Sequence, residues 1–369
     1  MPLLNRLVKL LQEKNGSDIH MLEGEKPRLR IRGDLHPIES KEHPVVERQD
    51  IEEILEQWLA PDQRRTFEQT MDVDFSVEIE GASGRVNVGL VNGKKYYLIM
   101  RYLPTKIIPL ETLGIDFDML KGLCDADKGL IIIAGETSSG KTTTAAAMLE
   151  YINRSRLGAI TTIENPVEYV LKNDRCLITR REIGRDTPDF KTALRSSVRK
   201  NPDVLLIGEI RDLETANIAM SSSETGIHTF CTLHAMGALE AISRFGNIMI
   251  AEGHNETEFY LRLSETLKGI ISQQLVKRVD GQGQLPLFEI LNISSSEKEY
   301  IRDKNMRRLE QSLESERNIS LGLCVYNLWH ATPRLIDKDT VRKVYGNQFN
   351  LAMNRLEDRS GYKPLLVEM

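Results

Sequence analysis

Eight consecutive residues, Gly135-Glu136-Thr137-Ser138-Ser139-Gly140-Lys141-Thr142, have the types and spacing of a Walker A phosphate-binding turn. Gly135 and Gly140 permit backbone angles that point successive N–H groups inward. The helix expected next adds its positive end, so the turn is complementary to a polyphosphate. Lys141 is placed to reach the β- and γ-phosphates and Thr142 to put its hydroxyl on Mg2+, while Thr137, Ser138, Ser139 and Thr143 complete the expected nucleotide contacts. The flanks agree with the motif: Leu130 to Ala134 is apolar throughout, as in a buried strand, and Thr143 to Tyr151 reads as a helix. No Asn/Thr-Lys-x-Asp segment is present to read guanine, so the expected ligand is ATP with Mg2+.

Hydrolysis of a bound triphosphate needs one carboxylate to orient or deprotonate water and another to hold the metal through its water shell. Two apolar runs end in such groups. Gly158 to Ile163 leads into Glu164, Asn165 and Glu168, and Asp203 to Gly208 leads into Glu209, Arg211 and Asp212. In an open parallel sheet, ligands bind at the carboxyl ends of the strands, which brings both groups beside the turn. With a RecA-like strand order, Glu164 lies on the adjacent strand and suits the base, and Glu209 suits the Mg2+ water shell. The reverse assignment stays open. His234, at the carboxyl end of the strand Ile227 to His234, is the candidate sensor of the γ-phosphate.

The elements that must position these groups fall into two parts. Up to residue 102, alternating runs such as Val73, Phe75, Val77 and Ile79 predict half-buried strands, with Asn92-Gly93 as a tight turn between two of them. A strand pair joined at Gly33-Asp34 and a helix from Val46 to Leu59 complete a small α+β domain. Pro104 and Pro109 mark 103–110 as a stiff linker. From 111 to 369, wholly apolar runs at Leu130 to Ala134, Ala159 to Ile163, Val204 to Ile207 and Thr229 to Leu233 alternate with helices. That is the grammar of a mainly parallel sheet covered on both faces. Thr187-Pro188 is expected to cap a helix reaching Lys200, and Arg302 to Arg317 to form a solvated helix.

The bulk numbers narrow the function classes. A chain of 369 residues with 40% hydrophobic content supports two cores, and a formal charge of -5 gives no global attraction for nucleic acid, so no such partner is expected. Cys124, Cys176, Cys231 and Cys324 lack metal-ligand or redox spacing, which fits a reducing cytoplasm. Met1 to Lys14 reads as an amphipathic helix, not an export signal, and no window approaches the roughly 20 apolar residues of a membrane span. Direct membrane insertion is therefore not expected.

Taken together, the Walker A turn, Thr162-Ile163-Glu164-Asn165-Pro166-Val167-Glu168, Arg181 to Asp186, Asn201 through Asp212 and Glu224-Thr225-Gly226 to His234 resemble the ordered motifs of the PilT/PilU-like type IV pilus retraction ATPases of the secretion ATPase superfamily. Gly16 to His20 and Arg30 to Gly33 look like that family's PAS-like N-terminal domain, and Ile270 to Leu275 resembles its C-terminal helical part. The resemblance implies a RecA-like P-loop ATPase domain (111–369) behind a PAS-like domain (1–102). It also implies a homohexamer with each ATP held between one ATPase domain and a neighbour's N-terminal domain, where Arg85 and Arg101 would complete the site in trans. The implied partner is the inner-membrane platform protein of a pilus or secretion system, with the chain cytoplasmic and peripheral to that membrane. The family's first His-box histidine follows its glycine directly, whereas Ile227 stands there in this chain; His228 then faces the other side of its strand and takes no role. A DotB-like or conjugation-type export ATPase and a RecA-like DNA motor are the alternative readings.

Overall fold

The computed structural model describes residues 3–14, 16–31, 34–38, 45–79, 82–103, 107–114, 116–250, 255–281, 283–315, 317–331, 333–346, 349–350 and 353. The chain divides into two compact units, Met1–Lys106 with Glu168–Val170, and Ile107–Val167 with Leu171–Met369.

The first unit runs α1 (Leu3–Glu13), β1 (Asp18–Leu22), β2 (Arg28–Ile31), β3 (Asp34–Pro37), α2 (Arg48–Trp58), α3 (Pro61–Thr70), β4 (Asp72–Ile79), β5 (Ala82–Val91) and β6 (Lys95–Leu103). Its strands form one antiparallel sheet in the order β3-β2-β1-β6-β5-β4. Alternation decides which face is dry: Val73, Phe75, Val77 and Ile79 of β4 are buried, as are Leu4, Leu7, Val8 and Leu11 along one stripe of α1. Between β5 and β6, Asn92, Gly93 and Lys94 all take positive φ (47°, 80° and 73°), the reversal that Asn-Gly favours. Gly33 lies outside the described residues, but the strands beside it pair with Ile31 opposite Asp34. Helix α3 is not foreseen from the sequence, because its ten residues carry a single large apolar side chain, Phe67.

The second unit contains α4 (Phe117–Cys124), β7 (Gly129–Ala134), α5 (Lys141–Ser155), β8 (Gly158–Glu164), β9 (Cys176–Glu182), α6 (Phe190–Val198), β10 (Val204–Ile207), α7 (Leu213–Glu224), β11 (His228–Leu233), α8 (Ala238–Ile250), α9 (Glu256–Thr266), β12 (Leu267–Lys277), β13 (Gln284–Asn292), α10 (Ser295–Arg302), α11 (Met306–Ser312), α12 (Leu321–His330) and α13 (Lys338–Tyr345). Seven strands form one sheet, β13-β12-β7-β11-β10-β8-β9, parallel except for β13. Along β7 the side chains divide between two cores. Leu130, Ile132 and Ala134 join residues of α6 to α9, while Ile131 and Ile133 join residues of α4 and α5. A sheet packed on both faces has no solvent side, which is why the central strands β7 and β10 are apolar at every position.

Several expectations are corrected. Ile270 to Leu275 is not helical; it is the middle of β12, next to β7, where the sheet rewards its β-branched residues. The charged stretch Arg302 to Arg317 is not one solvated helix: α10 ends at Arg302, Lys304 takes a left-handed φ of 56°, and α11 starts afresh with Leu309 buried. Helix α6 is capped by Asp189, whose Oδ1 accepts the Thr192 N–H at 2.7 Å, and not by Thr187. Among the described residues no helix is long and apolar enough to cross a membrane.

Candidate functional site

Strands β7, β11, β10 and β8 finish in step at one edge of the sheet, with Leu233 level with Ala134, Ile207 with Cys231, and Ile163 with Ile207. The residues at or just beyond their ends, Gly135, His234, Glu209 and Glu164, therefore gather along one rim. The strand order corrects one detail of the sequence reading. The neighbours of β7 are β11 and β12, so Glu164 is not on the adjacent strand; β11 and β10 stand between.

The turn between β7 and α5 is shaped by its backbone. Gly135, Ser138 and Gly140 take positive φ of 154°, 64° and 91°, a backbone that glycine adopts at no steric cost. A side chain at either glycine would also run into Gln273. A Cβ on Gly135 would stand 2.4 Å from the Gln273 carbonyl oxygen, and one on Gly140 2.4 Å from Gln273 Nε2. Lys141 is buried and folds back across the turn, donating from Nζ to the carbonyls of Gly135 at 2.8 Å and Glu136 at 2.6 Å. The buried Ser139 hydroxyl meets no hydrogen-bond partner. Lys141, Thr142 and Thr143 open α5, a 15-residue helix whose first-turn N–H groups have no acceptor inside it. Left-handed backbone, an orphaned hydroxyl, the N-terminal end of a long helix and an ammonium folded across the turn suit a polyphosphate.

Opposite the turn, Glu209 is held from both sides. His234 Nε2 lies 3.1 Å from its Oε1 and Arg211 Nη2 lies 2.5 Å from its Oε2. Partial burial lowers the His234 pKa, with the positive charge of Lys141 next in weight and Glu209 opposing. The imidazole is therefore neutral at physiological pH and can both donate and accept a hydrogen bond. Thr232 Oγ1 donates to the Gly208 carbonyl, and the Ile210 N–H to the Thr232 carbonyl at 3.0 Å, so the ends of β10 and β11 are tied together. Glu164 is buried. A Cβ on Gly208 would lie 3.1 Å from Glu164 Cα and 3.4 Å from its Cγ, so the glycine gives that carboxylate its passage alongside Glu209.

His228 lies at the opposite end of β11, level with Gly129 and Val204. It is fully buried against Phe230, with Arg156 Nη2 at 3.4 Å from Nδ1 and Nε2 unpartnered. In the first unit, Arg85 and Arg101 are direct cross-strand partners on β5 and β6, so their side chains leave the same face of the sheet. Arg101 Nε contacts Asp18 Oδ1 at 3.1 Å and Arg85 Nε contacts Asp74 Oδ1 at 3.5 Å.

Two participants escaped the sequence reading. Gln273 walls the turn and accepts the Thr144 hydroxyl on Oε1 at 2.7 Å. Its signal was the break to Ser-Gln-Gln after the apolar Ile270-Ile271, at the level where β7 ends. Arg211 was noted only as a neighbour of Glu209.

A family model described as "Type II/IV secretion system protein" matches residues 1–318. The chain is 32% identical over 344 residues to "Type IV pilus retractation ATPase PilT" of Pseudomonas aeruginosa, covering 92% of this chain and 97% of that protein. It is 35% identical over 287 residues to "Type IV pilus ATPase PilU" of the same organism, covering 78% and 73% respectively. Among solved structures, the pilus retraction motor PilT with bound ADP matches with a TM-score of 0.84 at 32% identity, over 93% of this chain and 97% of that one. The Legionella pneumophila ATPase DotB shares the fold, with a TM-score of 0.74 at 21% identity over 96% of each chain. The motifs at the sheet rim, the RecA-like core with its smaller N-terminal α+β unit and these near full-length matches agree: the chain belongs to the type II/IV secretion system protein family, among its PilT- and PilU-like ATPases.

Proposed function

We propose that this chain is the subunit of a homohexameric ATPase that powers type IV pilus retraction, acting in the cytoplasm on an inner-membrane platform protein. The chemistry rests on the shared rim that carries Lys141, the Glu209–His234 pair and Glu164. Near-complete coverage of PilT supports the retraction assignment over export, since the DotB likeness speaks to fold alone.

Residues 135–143 cradle the triphosphate, with Lys141 exchanging its carbonyl partners for phosphate oxygens. Thr142 and Glu209 hold Mg2+, which when bound offsets phosphate charge. Glu164, the buried carboxylate, takes the proton of the attacking water. Neutral His234 bridges Glu209 to the region of the terminal phosphate and reports its presence. Arg85 and Arg101, side by side on one sheet face, reach the nucleotide of the neighbouring subunit and stabilise charge there. The segment 103–110 serves as the hinge between nucleotide states.

Steady-state turnover and motility test both levels of this reading. The purified chain should hydrolyse ATP, Glu164→Gln and Glu209→Gln should each lower kcat by at least about tenfold, and Lys141→Ala should abolish tight nucleotide binding. Expression in a piliated strain lacking its retraction ATPase should restore twitching. Retained turnover in both carboxamide variants would refute the assigned chemistry, and turnover without restored twitching would turn the reading to substrate export.

A further inference from the structure

Glu289 belongs to none of the motifs, yet it sits behind the catalytic rim on β13, paired with Ser272 of β12 and thus one residue from Gln273. Its Oε1 accepts the Ala238 N–H at 2.7 Å, the first residue of α8, and stands 3.4 Å from where a Cβ on Gly237 would be. The N-terminus of α8 thus meets a side-chain oxygen that satisfies one of its open N–H groups. That helix begins only four residues after His234. Between lie Ala235, Met236 and Gly237, and Met236 is itself fixed by its N–H to Glu240 Oε2 at 2.9 Å. Glu289 further shares a cavity of about 30 Å3 with Gly135, Glu136, Met236, Gln273 and Leu321. That is room for a water between the carboxylate and the root of the phosphate turn.

We infer that Glu289 is a positioning residue for hydrolysis: it anchors the turn 235–237 that follows His234 and seats it beside a cavity that Leu321 of α12 also lines. The link is long in sequence, 51 residues from carboxylate to N–H, and short in space. Without it the start of α8 loses its acceptor, and the histidine four residues away loses its fixed bearing on Glu209. Nucleotide affinity, set by the turn 135–143, should be spared.

The inference rests on the His234 role proposed above, and a double-mutant cycle separates the two. In ATPase assays of the full chain, Glu289→Ala should lower kcat about tenfold with KM changed less than about twofold, and Glu289→Gln, which keeps one oxygen acceptor, should lose less. In a His234→Ala background the Glu289 substitutions should cost nothing further. An equal fractional loss in both backgrounds, or wild-type kcat in Glu289→Ala, overturns the positioning role. Wild-type kcat in His234→Ala removes the sensor role itself and with it this inference. Should Glu289→Ala fail to fold, Glu289→Gln in the two backgrounds carries the same comparison, with melting temperatures recorded for every variant.

Discussion

His228 offers a perturbation whose size follows from its surroundings. Burial, reinforced by the charges of Arg156 and Lys268, lowers its pKa from the usual 6.5 to about 3. The folded chain therefore keeps this ring neutral in mild acid while the unfolded chain protonates it. A base with a depressed folded-state pKa costs stability as pH falls below its unfolded value, and the cost grows until the folded pKa is reached. Between pH 7 and pH 5 the difference in proton uptake amounts to about 2 kcal/mol, nearly 1.4 kcal/mol for each pH unit below 6.5. The comparison variant is His228→Asn, whose Oδ1 can still face Arg156 and which does not titrate. Packing lost against Phe230 lowers its stability at every pH alike, so only the slope is informative. Urea unfolding midpoints at several pH values should show wild type losing about 2 kcal/mol more than the variant over this interval. Other titrating groups are common to both chains and cancel. Parallel stability profiles would refute the claim that His228 is held neutral, and with it the view of this histidine as a packed residue remote from catalysis.

Two further outcomes concern the site. Gly140→Ala forces a Cβ toward Gln273 Nε2 in a left-handed backbone, so it should destabilise the chain by about 1–3 kcal/mol and weaken nucleotide binding; unchanged melting and unchanged binding of a fluorescent ADP would show that the turn tolerates a side chain. Arg101→Ala and Lys141→Ala rings should each be nearly inactive, but mixing the two subunits before assembly should recover turnover at interfaces that pair an intact turn with an intact arginine. No recovery at any mixing ratio would place Arg101 outside the neighbour's site.

Much of the site was legible because its residues obey local rules. A phosphate turn needs its glycines and lysine at fixed spacing, and a strand buried on both faces betrays itself by continuous apolar sequence, so β7, β8, β10 and β11 and the acids after them could be read directly. Order across the sheet is a different kind of information. Nothing in the stretch 158–164 states that β10 and β11 lie between it and β7, and the adjacency of Glu164 was misjudged for that reason. Strand β9, with Thr179, Arg180, Arg181 and Glu182, is an edge strand whose polar residues hide its period, and α3 hides behind its charges. Gln273 and Glu289 act through backbone carbonyls and helix ends contributed by distant segments, contacts that leave no spacing to recognise.

The contact of Gln273 with both glycines of the phosphate turn has a mechanical consequence. Because the Gln273 backbone carbonyl fills the space where a side chain on Gly135 would stand, the start of the turn cannot move toward β12 without pushing on the strand. That strand runs four residues further, to Lys277, a distance of about 13 Å at the usual rise. Its end, with the paired end of β13, is packed against α12 and α13 through Val276, Leu285 and Leu287. The floor of the nucleotide cradle is thus the short arm of a stiff lever, and its long arm delivers any displacement to the helices at the carboxyl end of the chain.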